Sequence, residues 1–239
     1  MLLKKRVAES MKIAVMQPYF FPYIGYFQLA AAVDEFVFFD DVNFIKKGFI
    51  NRNSLLLDGV AFAFSVSVAK ISQNKAINEH DYISDFSAFL KQIQSFYNKA
   101  PNLGKVYELI RDVCLDDDLN VAKKNALGVA RVFDYLNISF NYSFSSRDLN
   151  DHQLKGQEKI LNICERKRAT EYFNAIGGID LYSRDVFEKQ GIKLHFVKPN
   201  IKSYEQLGNE FVKGLSIIDV LMFCDKSVIQ KNIQEVNFE

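Results

Sequence analysis

Apolar positions along the chain fall into two kinds of run, short unbroken blocks and longer stretches with helical spacing. Lys12–Met16 (KIAVM) is a block closed by Gln17-Pro18, and residues 35–39 (EFVFF) form another, closed by Asp40-Asp41. Blocks of this length bounded by turn residues predict buried strands. Between them, residues 22–33 hold enough apolar positions for a helix, with Pro22 suited to its first turn. Strand, turn, helix and strand occupy about 30 residues, the size of a βαβ unit. Such a crossover joins two parallel strands in the right-handed sense. Residues 54–57 and 61–68 then flank Asp58-Gly59, a hairpin signature.

From 81 to 136 the spacing turns helical, and Pro101-Asn102 and Asp116-Asp117-Asp118 divide it into three consecutive helices. This stretch reads as a helical insertion or lid whose Phe, Leu and Ile stripe serves the core. Alternation then resumes: a strand over 138–144 ending in Ser145-Ser146-Arg147, and a helix over 154–166. A strand over 171–176 ends at Gly177-Gly178, and a helix over 180–190 starts at an Asp180 cap. A strand over 192–197 is closed by Lys198-Pro199, and a short helix over 216–223 precedes a tail helix from Ser227. Repeated βα units predict an α/β fold, a mostly parallel Rossmann-like sheet flanked by helices with a helical insertion. One domain is expected over 11–239, with 1–10 as an N-terminal extension.

Composition narrows the function classes. The 239 residues are 49% hydrophobic and 25% charged, as in ordinary globular proteins. Lys+Arg 30 against Asp+Glu 29 leaves a net charge of +1, too little to draw the chain onto bulk nucleic acid. Cys114, Cys164 and Cys224 are odd in number and far apart, which argues against a disulfide framework or a zinc site. His80, His152 and His195 are equally scattered, so no metal site is expected. No apolar run approaches the roughly 18 residues of a membrane span, and the start lacks a signal-peptide pattern. A cytoplasmic protein is the expectation.

Ligands of open parallel sheets bind beyond the carboxyl ends of the strands. There the chain places Gln17-Pro18, Asp40-Asp41, Ser146-Arg147, Asn174 with Gly177-Gly178, and Lys198-Pro199. One site fed by these segments is expected. Adjacent carboxylates in extended backbone point to opposite faces. One of Asp40 and Asp41 would then hold Mg²⁺ or a substrate ammonium, and the other would cap or pair with a lysine. Lys46, Lys47, Asn51, Arg52 and Asn53 supply cationic and amide donors for phosphate or sugar hydroxyls. Lys155 opens a helix against its dipole, a cost offset by a facing anion or by Glu158. Gly177-Gly178 suits close backbone approach. The first turn, with Tyr23-Ile24-Gly25-Tyr26 at the helix start, is similar in layout to the HxGH turn of cytidylyltransferase-like and pantothenate-synthetase-like enzymes. Such a turn belongs to nucleotidyltransferase and HUP-like folds. Tyrosines stand where that turn has histidines, and phenols donate hydrogen bonds but stay neutral at pH 7. An aromatic helix start packed under a loop is the competing reading.

The combined motifs resemble the WbqC-like protein family. They are MKIAVMQPYFFPYIGYFQL over 11–29, FDDVNFIKKG over 39–48, INRN over 50–53, SQNK over 72–75, LKGQE over 154–158, IGG with Leu181-Tyr182, and LSIIDVLMF over 215–223. Phe49 stands where a larger aromatic is usual. The resemblance covers about residues 11–224. It implies an accessory enzyme of bacterial O-antigen or other surface-polysaccharide synthesis that attaches glycine or another small amino acid to the amino group of an aminodeoxy sugar. The expected activity is an aminoacyl or acyl transferase, or an ATP-dependent amide ligase, acting on a nucleotide-activated amino sugar and a small amino acid, with ATP and Mg²⁺ as cofactors. By motif position, Asp40, Asp41 and Lys155 would be catalytic. Gln17, Pro18, Tyr23, Gly25, Tyr26, Gly177 and Gly178 would bind nucleotide. Lys46, Lys47, Asn51, Arg52, Asn53, Gln157 and Asn174 would bind substrate. The alternatives are a pre-activated donor, such as an aminoacyl-tRNA or acyl-CoA, and a non-catalytic sugar-nucleotide-binding or scaffold protein.

Overall fold

The computed structural model describes residues 10–148, 153–208 and 210–239; most of the expected extension, and His152, lie outside them. Strand β1 (Lys12–Met16) leads through a seven-residue turn into helix α1 (Ile24–Ala31) and back to β2 (Glu35–Phe38). A hairpin follows, β3 (Arg52–Leu57) and β4 (Val60–Ser65). Its turn places Asp58 at φ 49° and Gly59 at φ 78°, the left-handed pair that a two-residue type I′ hairpin requires. A 3₁₀ turn over Ile77–Glu79 precedes α2 (Ser87–Phe96), α3 (Leu103–Leu115) and α4 (Val121–Tyr135). The second half runs β5 (Tyr142–Phe144), α5 (Ser145–Asp148), α6 (Gly156–Arg166), β6 (Glu171–Ala175), a 3₁₀ turn (Ile176–Leu181), α7 (Arg184–Lys189) and β7 (Lys193–Lys198). Helices α8 (Ile217–Phe223) and α9 (Lys226–Gln234) and strand β8 (Asn237–Phe238) complete it.

The main sheet has the order β5-β2-β1-β6-β7-β8. Its first five strands are parallel, and β8 pairs antiparallel with β7. Strands buried on both faces need apolar side chains at successive positions, and that is why β1 and β2 read as unbroken blocks. Ile13, Val15 and Val37 pack with Ile160, Ile163, Cys164 and Phe187 of α6 and α7. Ala14, Phe36 and Phe38 face the opposite core with α1, α3, α4, α8 and α9. The stretch over 81–136 joins that second core, with Val106, Ile110, Val113, Val129, Val132 and Phe133 fully buried. The chain leaves β1 toward β2 on one side and later places β6 on the other. The carboxyl ends of β1 and β6 therefore flank the topological switch point, where α/β sheets bind ligands.

Two expected elements differ. The strand over 138–144 shrinks to three residues, because Asn137 leaves α4 with φ 51° and Phe140 stacks on Phe133 at 4.3 Å. The helix expected from Asp180 begins only after Ser183, whose N–H donates to Gln157 Oε1 at 2.7 Å; a 3₁₀ turn occupies the intervening residues.

The segment between β7 and α8 is strapped down by Asp219, a fully buried carboxylate of α8. It accepts from Tyr204 Oη (2.6 Å), Gln206 Nε2 (2.6 Å) and Tyr97 Oη (3.0 Å). Burial raises its pKa above the ordinary 3.8, and the three donors oppose that only in part. Because the folded value is raised, the stabilising contribution is complete below the unfolded value and is lost as pH rises through the folded one. Asp219→Asn cannot ionise. As pH rises from about 4, the unperturbed carboxylate value, the melting temperature of the wild type should fall relative to that of the variant. A difference that does not change with pH would contradict this reading.

Candidate active site

The rim beyond β2 and β5 holds a buried polar cluster. Asp40 N–H donates to the Phe38 carbonyl at 3.0 Å, a γ-turn-type bond that ends the strand. Asp40 and Asp41 are thus outside extended backbone, and both carboxylates turn toward Ser145, the residue after β5. Ser145 Oγ lies 3.1 Å from Asp40 Oδ1 and 2.5 Å from Asp41 Oδ1. A hydroxyl has one proton, so it serves one carboxylate at a time. Asp40 also accepts from Ser146 N (2.9 Å), Ser146 Oγ (2.6 Å) and Asn78 Nδ2 (3.3 Å). Asp41 Oδ2 pairs with Lys159 Nζ at 2.7 Å, the two side chains being 5% and 6% exposed. That ammonium also donates to the Asp41 carbonyl (3.2 Å) and lies 5.2 Å from the Phe39 ring centre.

A polar cavity of about 260 Å³ opens beside Asp40, lined also by Asn78, Asn120, Lys123, Phe144, Ser146 and Arg147. Lys123 pairs with exposed Asp118 at 2.8 Å, and the Arg147 guanidinium sits 5.1 Å over the Phe144 ring. One buried carboxylate and two cations therefore line a space large enough for a small polar group. Each oxygen of Asp40 and Asp41 already has a hydroxyl, amide or ammonium donor. A hard cation needs several oxygen ligands. This cavity offers one carboxylate beside two cations, and the Asp41 charge is already met by Lys159, so the pair does not fit Mg²⁺. Among the described residues no group of three or more His, Cys, Asp or Glu side chains is placed to hold a metal ion.

A second, mainly apolar cavity of about 410 Å³ lies at the turn after β1, lined by Tyr19, Pro22, Tyr23, Phe49, Asn53, Ile201, Lys213 and Gly214. Burial raises the Tyr19 and Tyr23 phenols above their ordinary 10.0, so both are protonated at neutral pH.

A model of the WbqC-like protein family matches residues 17–231. The match starts at the first rim residue and includes every wall of both cavities. The chain belongs to the WbqC-like protein family. It is similar to the Mycobacterium tuberculosis (strain ATCC 25618 / H37Rv) protein described as "Uncharacterized protein Rv1507c", with 26% identity over 216 residues, 88% of this chain and 92% of that one. No solved structure matches it. No helix among the described residues is long and apolar enough to cross a membrane.

In this WbqC-like chain the residues singled out from the sequence divide into two groups. Asp40 and Asp41 meet at the rim cluster, and Tyr23 and Asn53 line the apolar cavity. The expectation that the two carboxylates point to opposite faces is corrected by the turn at Phe38–Asp40. Lys155 is exposed at the N-cap of α6; the lysine that reaches Asp41 is Lys159, one helical turn on. Tyr26 is buried and donates to the Gln17 carbonyl at 2.9 Å, so its hydroxyl serves the fold. The Gln17 side chain accepts from Tyr19 Oη at 3.3 Å, and the Pro18 carbonyl accepts from Asn125 at 3.0 Å. Asn51 donates to the Val66 carbonyl and Asn53 to that of Phe21, so both amides hold loops. Asn174 accepts from the following Ala175 N–H. Gly178 leaves room for it: a Cβ there would lie 2.4 Å from Asn174 Nδ2. Gly177, Lys46 and Lys47 are exposed, and Arg52 is half-buried.

Ser145, Lys159, Asn78 and Lys123 were not legible as site residues. For Lys159 a signal existed, since it shares the helix face of Ile160, Ile163 and Cys164. A lysine on a buried stripe needs a partner.

Proposed function

We propose that this protein is an enzyme of surface-polysaccharide synthesis that joins a small amino acid, such as glycine, to the amino group of a nucleotide-linked aminodeoxy sugar. The observation that carries the reading is Asp40, a buried carboxylate in the wall of a rim cavity that Arg147 and Lys123 also line. Amide formation needs a base and a place for negative charge. Asp40 takes a proton from the sugar ammonium, leaving a neutral amine. Its nitrogen bonds to the acyl carbon, the bond from that carbon to its carrier breaks, and the carrier leaves with the electron pair and takes up the second proton released from the nitrogen. Arg147 and Lys123 face the charge that develops on the acyl oxygen and the departing group. Asp41, Lys159 and Ser145 hold Asp40 in place.

The choice of donor follows from the same cluster. The cavity sets one carboxylate beside two cations, a poor balance for Mg²⁺, which favours an acyl group that arrives already activated on a carrier over ATP-dependent activation at this centre. The test is incubation of the protein with nucleotide-linked amino sugars and glycine. One arm supplies ATP and Mg²⁺, and another supplies glycyl-tRNA or an acyl thioester; products are read by mass spectrometry. The expected product is the sugar nucleotide carrying one aminoacyl residue on its amino nitrogen, formed with the activated donor. Binding of the sugar nucleotide without product in any arm would favour the non-catalytic reading.

A further inference from the structure

The glycine of the Tyr23-Ile24-Gly25-Tyr26 turn faces no ligand. A Cβ at Gly25 would lie 2.4 Å from Tyr23 Cε2 and 2.7 Å from its Cζ and Oη. Gly25 therefore makes the space in which the Tyr23 ring lies back over the helix start and forms a wall of the apolar cavity. The Tyr23 hydroxyl has no hydrogen-bond partner among the described residues, although burial already raises its pKa. Across the cavity, Tyr19 and Phe49 rings stand 6.0 Å apart at 56°. Phe49 is 63% exposed, so one face of its ring is open to the cavity and to solvent while its other contact is with Tyr19. Lys213 also lines the cavity and makes no ion pair among the described residues.

These walls discriminate between ligands. The one side-chain amide among the lining residues, Asn53, is already held at both ends, donating to the Phe21 carbonyl and accepting from Ser54 N–H. A bare pyranose, which needs many hydrogen-bond partners, is poorly served. A flat ring with π faces and an attached anion is well served: aromatic platforms stack any base, one free phenol reaches a ring edge or ribose hydroxyl, and one free ammonium meets phosphate. The turn also leaves β1 beside the switch point, where α/β sheets take nucleotides.

We propose that the cavity formed by Tyr19, Tyr23, Phe49 and Lys213 is the binding site for the nucleoside diphosphate of the sugar substrate, with Gly25 as the residue that shapes it. The assignment deepens the reading above and rests on it only for the sugar that the nucleotide carries. A polyprenyl phosphate, which also combines an apolar body with an anion, is the rival that the test must separate.

The test is isothermal titration of the whole protein with uridine diphosphate, adenosine diphosphate, inorganic pyrophosphate and decyl phosphate. At least one nucleoside diphosphate should bind, with pyrophosphate tenfold or more weaker. Phe49→Ala removes an exposed ring and should leave the fold intact while weakening nucleotide binding about tenfold. Gly25→Ala should do the same by displacing Tyr23, whereas Tyr23→Phe, which keeps the ring, should cost less than Tyr23→Ala. Unchanged nucleotide affinity in Phe49→Ala, or decyl phosphate binding more tightly than either nucleotide and losing affinity in the same variant, would overturn the proposal. Asp40→Asn separates the two readings. Intact nucleotide binding with no amide product from the wild type would sink the reaction and leave this site standing; product formed at the wild-type rate by Phe49→Ala would do the reverse.

Discussion

Asp40→Asn should lower the rate of amide formation by about 100-fold or more, the range expected when a positioned base is lost. The substitution keeps the shape of the side chain. An Asn oxygen still accepts the Ser146 N–H that Asp40 Oδ1 takes at 2.9 Å, and the Ser146 hydroxyl, which donates to Oδ2 at 2.6 Å, turns to accept from the new amide. The Asn78 amide, which donates to Oδ2 at 3.3 Å, flips to present its oxygen. The cluster therefore survives, while the capacity to take a proton does not. Rates under single-turnover conditions, read beside the circular-dichroism melt, separate chemistry from folding. A wild-type rate in a folded Asp40→Asn protein would remove Asp40 from the reaction.

Lys159→Met should destabilise the protein by about 3–5 kcal/mol, because it leaves the Asp41 carboxylate buried without its cation. The pair is 2.7 Å apart with both side chains almost wholly covered, so solvent does not stand in for the lost ammonium. The methionine fills much of the same volume among Phe39 and the α6 face, which confines the loss to charge. Adding Asp41→Asn to Lys159→Met should restore a large part of the loss, since a neutral amide no longer needs the cation. Urea unfolding of the two single variants and the double variant measures this directly. A loss near the 0–1 kcal/mol of an exposed ion pair would show that water reaches the cluster.

Fold and rim were legible from the sequence for one reason: parallel strands buried on both faces leave unbroken apolar blocks, and their carboxyl ends share one edge of the sheet. The blocks at Lys12–Met16 and Glu35–Phe38 mark that edge directly. Contacts made across the rim were less legible. The alternation rule, which sends adjacent side chains to opposite faces, fails at Asp40-Asp41, where the backbone bends one residue after β2 ends, and no local residue announces the bend. Lys155 attracts attention because it opposes a helix dipole, yet solvent satisfies it; Lys159, inside the helix, carries the charge that the fold cannot leave unpaired. In the same way Gly25 suggests room for a ligand, and the room is taken by Tyr23. Such internal uses of Gly, Asn and Tyr depend on residues distant in the chain, as with Asn125 donating to the carbonyls of Pro18 and Ile50.

The central claim, that the rim cavity at Asp40 is where the sugar amine reacts, is tested most directly by a crystal structure of the Asp40→Asn protein with a nucleotide-linked amino sugar. The account predicts the sugar nitrogen within about 2.6–3.2 Å of the residue 40 side chain, with Arg147 and Lys123 on the far side of the reacting group. A sugar bound with its amine away from this cavity, toward solvent or another face of the sheet, would contradict it.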